Sequence, residues 1–291
     1  MTTREPVTIR TLRRMAASGE PFACLTCYDA TTARWLERAG VHVLLVGDTA
    51  AEMTLGFSRT IDMPLEVSLA LTAGVKRGAP NTVIMGDMPF MSYQVNEAEA
   101  IRNAGRYLTE GLADIVKLEL DASFAPLVRQ LARAGIPVCG HVGSKPQSVA
   151  MTGGYSSAGR TRAQAKRVVD DAVALEAAGA VMLLVEAVPD EVTRDIMAAT
   201  TVPLIGIGAG TDCHGQVLVL QDLVGMSDVA PRFAEPVAKL GEAIRQAGAE
   251  WVKRVAERRI GGQRYKMLDA ATESLSPPEP KPSHPRIGES R

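Results

Sequence analysis

Aromatic residues are scarce in this chain: five Phe, five Tyr and two Trp in 291 positions, or 4%. A core built from it must be aliphatic and Ala-rich, which suits helices packed on a parallel sheet. Charge of one sign is also missing. The formal net charge is −1, with no basic run, and this argues against a nucleic-acid partner or a membrane surface. No apolar stretch approaches the ~20 residues needed to span a bilayer. Met1 to Arg14 is charged and lacks the apolar centre of a signal peptide, so a cytoplasmic protein is expected. Cysteine is limited to Cys24, Cys27, Cys139 and Cys213. Cys24 and Cys27 form a C-x-x-C, but no second pair completes a zinc site. Cys24 falls in the expected strand Phe22–Thr26, where a thiol serves as a small core residue.

What the chain does have is a repeated design. Val43 to Asp48 reads Val-Leu-Leu-Val-Gly-Asp, a short apolar run that ends on a carboxylate. Thr82 to Asp87, Asp114 to Glu119 and Val181 to Glu186 follow the same plan. Such runs suit strands buried on both faces of a parallel sheet. Further runs at 22–26, 138–140, 203–207 and 217–220 bring the total to eight, alternating with amphipathic helices. The pattern predicts right-handed β/α units, best closed into an eight-stranded barrel, with an open doubly wound sheet as the alternative. Residues 1–271 are expected to form one (β/α)8 barrel domain, with a short helix at 8–18 closing its bottom. Residues 272–291, rich in proline, are expected to be a disordered tail. The segments 49–63 and 141–162 read as loops over the rim, the first long enough to act as a lid. Asp190 is expected to cap the helix 190–199.

Parallel strands gather their C-terminal residues on one rim. Asp48, Asp87 and Glu119 could each be a helix cap or an ion-pair partner for the next helix. Together on separate strands they form the oxygen donor set that suits Mg²⁺. Lys117 lies two residues before Glu119, so both face the same side of their strand. Inside a barrel it needs an anion, either a rim acid or a substrate carboxylate or enolate. Glu186 ends its strand ahead of the expected cap Asp190, which leaves it to face the rim as a general base. His141 could bind metal or substrate, or be a hydrogen-bonded structural histidine. Gly206-Ile-Gly-Ala-Gly210 could hold an anion on its backbone amides, although it lacks the spacing of a known phosphate loop.

These residues sit in a set of motifs that resembles the 3-methyl-2-oxobutanoate (ketopantoate) hydroxymethyltransferase family. The stretches are Thr26-Cys-Tyr-Asp29, Val46-Gly-Asp48, Arg77-Gly-Ala-Pro-Asn81, Asp87-Met-Pro-Phe90 and Val116-Lys-Leu-Glu119. Pro137-Val-Cys-Gly-His141, Pro146-Gln147, Gly153-Gly-Tyr155, Glu186-Ala-Val-Pro189, Gly206-Ile-Gly-Ala-Gly210 and Gly215-Gln-Val-Leu-Val219 continue the likeness in order. The resemblance implies a barrel of the phosphoenolpyruvate mutase and isocitrate lyase type, Mg²⁺, 5,10-methylenetetrahydrofolate as co-substrate and a homo-oligomer, typically a decamer. It implies Asp48, Asp87 and Glu119 as metal-site acids. It implies Asp48, Thr49, Asp87 and Lys117 as contacts to the 2-oxo acid, and Glu186 as the proton acceptor. The chain departs from the family pattern at Thr49, Ala51, Leu120, Asp121, His214 and Gln221, positions expected near the rim. The rivals are a paralogue for another 2-oxo acid, a Mg²⁺-dependent lyase of 2-oxo or 2-hydroxy acids, and a non-catalytic binder of a 2-oxo acid.

Overall fold

The computed structural model describes residues 5–154, 156–262 and 265. The Pro-rich stretch expected to be disordered lies outside them. The described chain falls into two compact units, Met1–Ala238 and Lys239–Arg291. No described helix is long and apolar enough to cross a membrane.

The first unit is a closed barrel of eight parallel strands in sequence order. They are β1 (Phe22–Thr26), β2 (Val43–Val46), β3 (Val83–Asp87), β4 (Ile115–Glu119), β5 (Val138–Gly143), β6 (Met182–Glu186), β7 (Leu204–Ile207) and β8 (Gly215–Leu218). The closed barrel, not the open sheet, is the outcome, and β1 pairs with β8 to seal it. β2, β3 and β4 have no exposed residue, as their unbroken apolar runs require. Helices return the chain from each of the first six strands to the next, whereas β7 passes to β8 through 208–214 without one. The one at Ala30–Arg38 is capped by Asp29, whose Oδ1 accepts from the amides of Thr31 and Thr32 at 2.8 and 2.9 Å.

The barrel interior is filled from below. Val43, Leu45, Val83, Met85, Ile115, Cys139, Met182, Leu184, Ile205 and Val217 form one buried cluster. Leu12 and Met15 of the helix Ile9–Ser18 join it, so that helix closes the bottom as expected. All four cysteines are buried and free, and Cys24 and Cys139 belong to this same cluster. The C-x-x-C is therefore core, not a metal or redox pair.

Several local expectations need correction. The segment 49–63 is not a plain loop: it holds a helix at Ala50–Met53 and a 3-10 turn at Thr60–Asp62. The segment 141–162 begins inside β5 and carries a 3-10 turn at Pro146–Ser148 and a short helix at Val149–Thr152. Helices of one turn are too short to show a 3.6-residue period. β8 starts at Gly215, two residues earlier than expected, because the helix Leu220–Leu223 takes the end of the apolar run. Asp190 is the first residue of its helix; Pro189 holds the cap position without a side-chain bond.

The second unit contributes the helix Leu240–Ala256, which buries none of its residues.

Candidate active site

The site grows out of strand alternation. Along β3 the interior receives Val83, Met85 and then Asp87; along β4 it receives Ile115, Lys117 and Glu119. On β5 Cys139 is followed by His141, and on β6 Met182 and Leu184 are followed by Glu186. Each strand thus turns from apolar to ionisable as it nears its C-terminal end. The register then sets neighbours side by side: Asp87 beside Lys117, and Glu119 beside His141. Gly86 makes room for this end of β3, since a Cβ there would lie 2.4 Å from the Tyr107 ring. The Tyr107 hydroxyl donates to the Asp87 carbonyl at 2.6 Å and fixes the strand end.

All the candidate residues meet in one small cavity of about 60 Å³. Asp48, Thr49, Asp87, Lys117, Glu119, His141 and Glu186 line it. None of Asp48, Asp87 or Glu119 caps a helix. Asp48, Asp87, Lys117, Glu119 and His141 are each at most 5% exposed, whereas the Glu186 side chain is 22% exposed. Lys117 Nζ lies 2.7 Å from Asp87 Oδ1 and 3.4 Å from His141 Nδ1. His141 Nε2 lies 3.4 Å from Glu186 Oε2. A continuous polar line therefore runs Asp87, Lys117, His141, Glu186. The Asp87 Oδ2 accepts from the Asp48 amide at 3.2 Å.

The electrostatics follow from burial. It pushes the Asp87 carboxyl up to about 7, with Lys117 opposing and Asp48 adding to the rise. Glu119 is pushed well up for the same reason. Burial also works against the Lys117 ammonium, but Asp87, Glu119 and Asp48 outweigh it and raise its pKa. His141 is shifted down by burial and then by Lys117, so it is neutral near pH 7. A neutral ring that faces an ammonium at Nδ1 carries its proton on Nε2, the nitrogen beside Glu186.

Four carboxylates, Asp48, Asp87, Glu119 and Glu186, face the one ammonium of Lys117 in this cavity. This surplus of partly desolvated oxygen charge, visible in the raised Asp87 and Glu119, suits a hard divalent cation. Among the described residues no three His, Cys, Asp or Glu side chains are close enough together to hold a metal ion between them. A cation here would draw the rest of its shell from water and substrate, as Mg²⁺ does.

A second, larger cavity has a volume of about 540 Å³. It is lined by Asp121, Gly143, Ser144, Lys145, Ser148, Arg167 and Asp171, among others. Ser144, which lines it, donates its amide to the Glu186 carbonyl at 2.9 Å. The chain leaves β6 through Ala187 at φ +49°, a left-handed conformation that is strained for a residue with a Cβ. Bonds from the Ala187 amide to Ile207 and from Ala158 to the Ala187 carbonyl hold it there.

Three features were not apparent from spacing. Gln147 and Tyr93 are buried against the acids, although only the Pro146-Gln147 motif drew notice in the sequence. The 206–210 glycines serve packing: added Cβ atoms at Gly206, Gly208 and Gly210 would meet Cys213, Phe233 and Asp190 at 2.5 to 2.8 Å. His214 lies away from the rim, since it precedes β8 and its Nδ1 accepts from the amide of Leu204 at the start of β7.

The architecture is that of a closed (β/α)8 barrel, and solved structures of the phosphoenolpyruvate mutase and isocitrate lyase superfamily share that fold. 2,3-Dimethylmalate lyase, a member of that superfamily, superposes with a TM-score of 0.58 at 16% identity, over 91% of both chains. A phosphoenolpyruvate phosphomutase from Streptomyces platensis does so with a TM-score of 0.60 at 12% identity, over 87% of this chain and 89% of that one. The sequence model of ketopantoate hydroxymethyltransferase matches residues 6–262, and the chain belongs to that family. The 3-methyl-2-oxobutanoate hydroxymethyltransferase of Heliobacterium modesticaldum is 41% identical over 86% of this chain and 91% of its own. That of Roseiflexus sp. is 44% identical over 86% and 90%.

Proposed function

We propose that the chain transfers a hydroxymethyl group from 5,10-methylenetetrahydrofolate to C3 of 3-methyl-2-oxobutanoate, giving 2-dehydropantoate, with Mg²⁺ as the metal. The observation that carries this reading is the single polar line from Asp87 through Lys117 and His141 to the accessible Glu186. Asp48, Asp87 and Glu119 would hold the cation, not all of them directly but some through water. When bound, it supplies Lewis-acid stabilisation of charge developing on the keto oxygen.

The protein's own groups do the rest. Lys117 offers a fixed positive charge to the substrate carboxylate or the enolate oxygen, in a cavity that excludes most water. Thr49 lines the same cavity and offers a hydroxyl to the 2-oxo acid. Glu186 takes the C3 proton; being partly exposed, it can pass that proton to solvent. His141 places a neutral imidazole beside Glu186, with Nε2 3.4 Å from Oε2. The 540 Å³ cavity, whose lining residue Ser144 bonds to the Glu186 backbone, has the volume for a folate head group. On the helix Leu240–Ala256, Ile244, Trp251, Val252 and Val255 are exposed, which supports assembly into a homo-oligomer.

The test is an assay of several branched 2-oxo acids with methylenetetrahydrofolate, with and without Mg²⁺. Turnover of 3-methyl-2-oxobutanoate that needs both is expected. Folate-independent cleavage of a 2-oxo or 2-hydroxy acid would overturn the reading in favour of a lyase. Absence of C3 proton exchange in any of these acids would overturn it in favour of a non-catalytic binder.

A further inference from the structure

We infer that Gln147 is a positioning residue that aligns two of the acids, Asp48 and Glu119, for the cation; this rests on the metal site of the proposed function. Gln147 sits in the 3-10 turn Pro146–Ser148 that follows β5, and is 4% exposed. Its amide N–H donates to Glu119 Oε2 at 2.9 Å. Its side-chain Nε2 donates to Asp48 Oδ2 at 3.1 Å and to the Met88 carbonyl at 3.0 Å. Its Oε1 accepts from the Tyr93 hydroxyl at 2.8 Å and from Gln94 Nε2 at 3.3 Å. One residue thus binds acids from the ends of β2 and β4, strands that do not pair with each other.

The chemistry of the group explains its place. A lysine here would neutralise Asp48 and compete with a cation. A carboxamide orients the carboxylate while leaving its charge intact. Orientation matters because the flip state of the amide is itself fixed. A carboxylate and a backbone carbonyl can only accept, so Asp48 Oδ2 and the Met88 carbonyl fix the N–H₂ edge toward themselves. Oε1 then faces the Tyr93 hydroxyl at 2.8 Å, whose other acceptor is the Glu119 carbonyl at 3.1 Å. Every polar atom of the Gln147 side chain is satisfied, as a buried network must be to specify one geometry. Partners that orient ligands in this way typically change metal affinity by roughly 10- to 100-fold when removed.

The full-length protein, stripped of metal, should be titrated with Mn²⁺ in the absence of substrates. Gln147→Met keeps the length and removes the bonds; it should raise the Mn²⁺ Kd by roughly 10-fold or more. Tyr93→Phe removes one donor that steadies the Oε1 edge and should raise it less, with little further effect when added to Gln147→Met. Melting in EDTA separates this from a structural role, which would lower the metal-free Tm without moving the Kd of the folded protein. A Kd within twofold of the unaltered protein in folded Gln147→Met overturns the inference. Should that variant not fold, Tyr93→Phe decides: a weakened Kd supports the inference and an unchanged one overturns it. If the unaltered protein itself binds no Mn²⁺, the metal reading of the proposed function fails, and the inference with it.

Discussion

The lower and upper halves of the barrel interior are built by the same strands and obey opposite rules. Below, Met85, Ile115, Cys139, Met182 and Leu184 interlock as a dry aliphatic plug. One step along the same strands, two residues on, Asp87, Lys117, His141 and Glu186 occupy the equivalent inward positions. The plug buries apolar area and nothing else, so it contributes stability. The rim buries charge and leaves carboxylates in excess, so it costs stability and provides reactivity. Strand alternation alone does not divide the two; where each strand switches chemistry does.

The largest separation between the halves should come from Glu186. Glu186→Gln keeps shape and removes the base, and turnover should fall by roughly 10²- to 10⁴-fold. Its melting temperature should stay close to that of the unaltered protein, because the side chain is partly exposed and reaches His141 only at 3.4 Å. Loss of C3 proton exchange, followed by NMR in D₂O, should match the loss of turnover. Full exchange in this variant would remove Glu186 from the base role.

Met182, four residues earlier on β6 and fully buried, makes the opposite case. Met182→Ala opens a hole in the plug and should cost about 2–5 kcal/mol, read by urea unfolding. The folded fraction should keep near-normal kcat. A large loss of kcat with unchanged stability would mean that plug and rim are not separable in this way.

Much of this was readable in the sequence, for a physical reason. Apolar strands that end on a carboxylate announce both a buried parallel sheet and a charged rim, and a spacing of two puts Lys117 and Glu119 on one face. The signal failed where structure is local and short. One-turn helices at Ala50–Met53 and Val149–Thr152 carry no period. Gln147 binds groups 99 and 28 positions away in sequence, and a lone glutamine carries no sign of that. The glycines at 206–210 mislead because small size for packing and open backbone for a ligand look alike in a sequence.

The subtlest contrast lies in how the rim responds to pH. Burial holds the Asp87 carboxyl at about 7 in the folded protein, against the ordinary 3.8 of the unfolded chain. Between these values the folded state keeps a proton that the unfolded state has released. Folding is therefore favoured by Asp87 below about 4, and this contribution is lost as pH rises toward and through 7. Asn at this position mimics the protonated acid and has nothing to lose. In EDTA, the stability of Asp87→Asn relative to the unaltered protein should thus improve from pH 5.5 to pH 8. His141 and His214 are both shifted down by burial, and so favour folding more as pH rises. His214 is remote from the substitution and cancels in the difference. His141 sits on the other side of Lys117, which makes its coupling to Asp87 weaker than the direct pair. With saturating Mg²⁺ the order should reverse at pH 8, since only the carboxylate can help hold the cation. Paired thermal melts at the two pH values, with EDTA and with Mg²⁺, read the effect. A relative stability of Asp87→Asn that declined with pH in EDTA would show that the Lys117 pairing outweighs burial, and that the rim is not a store of unbalanced charge.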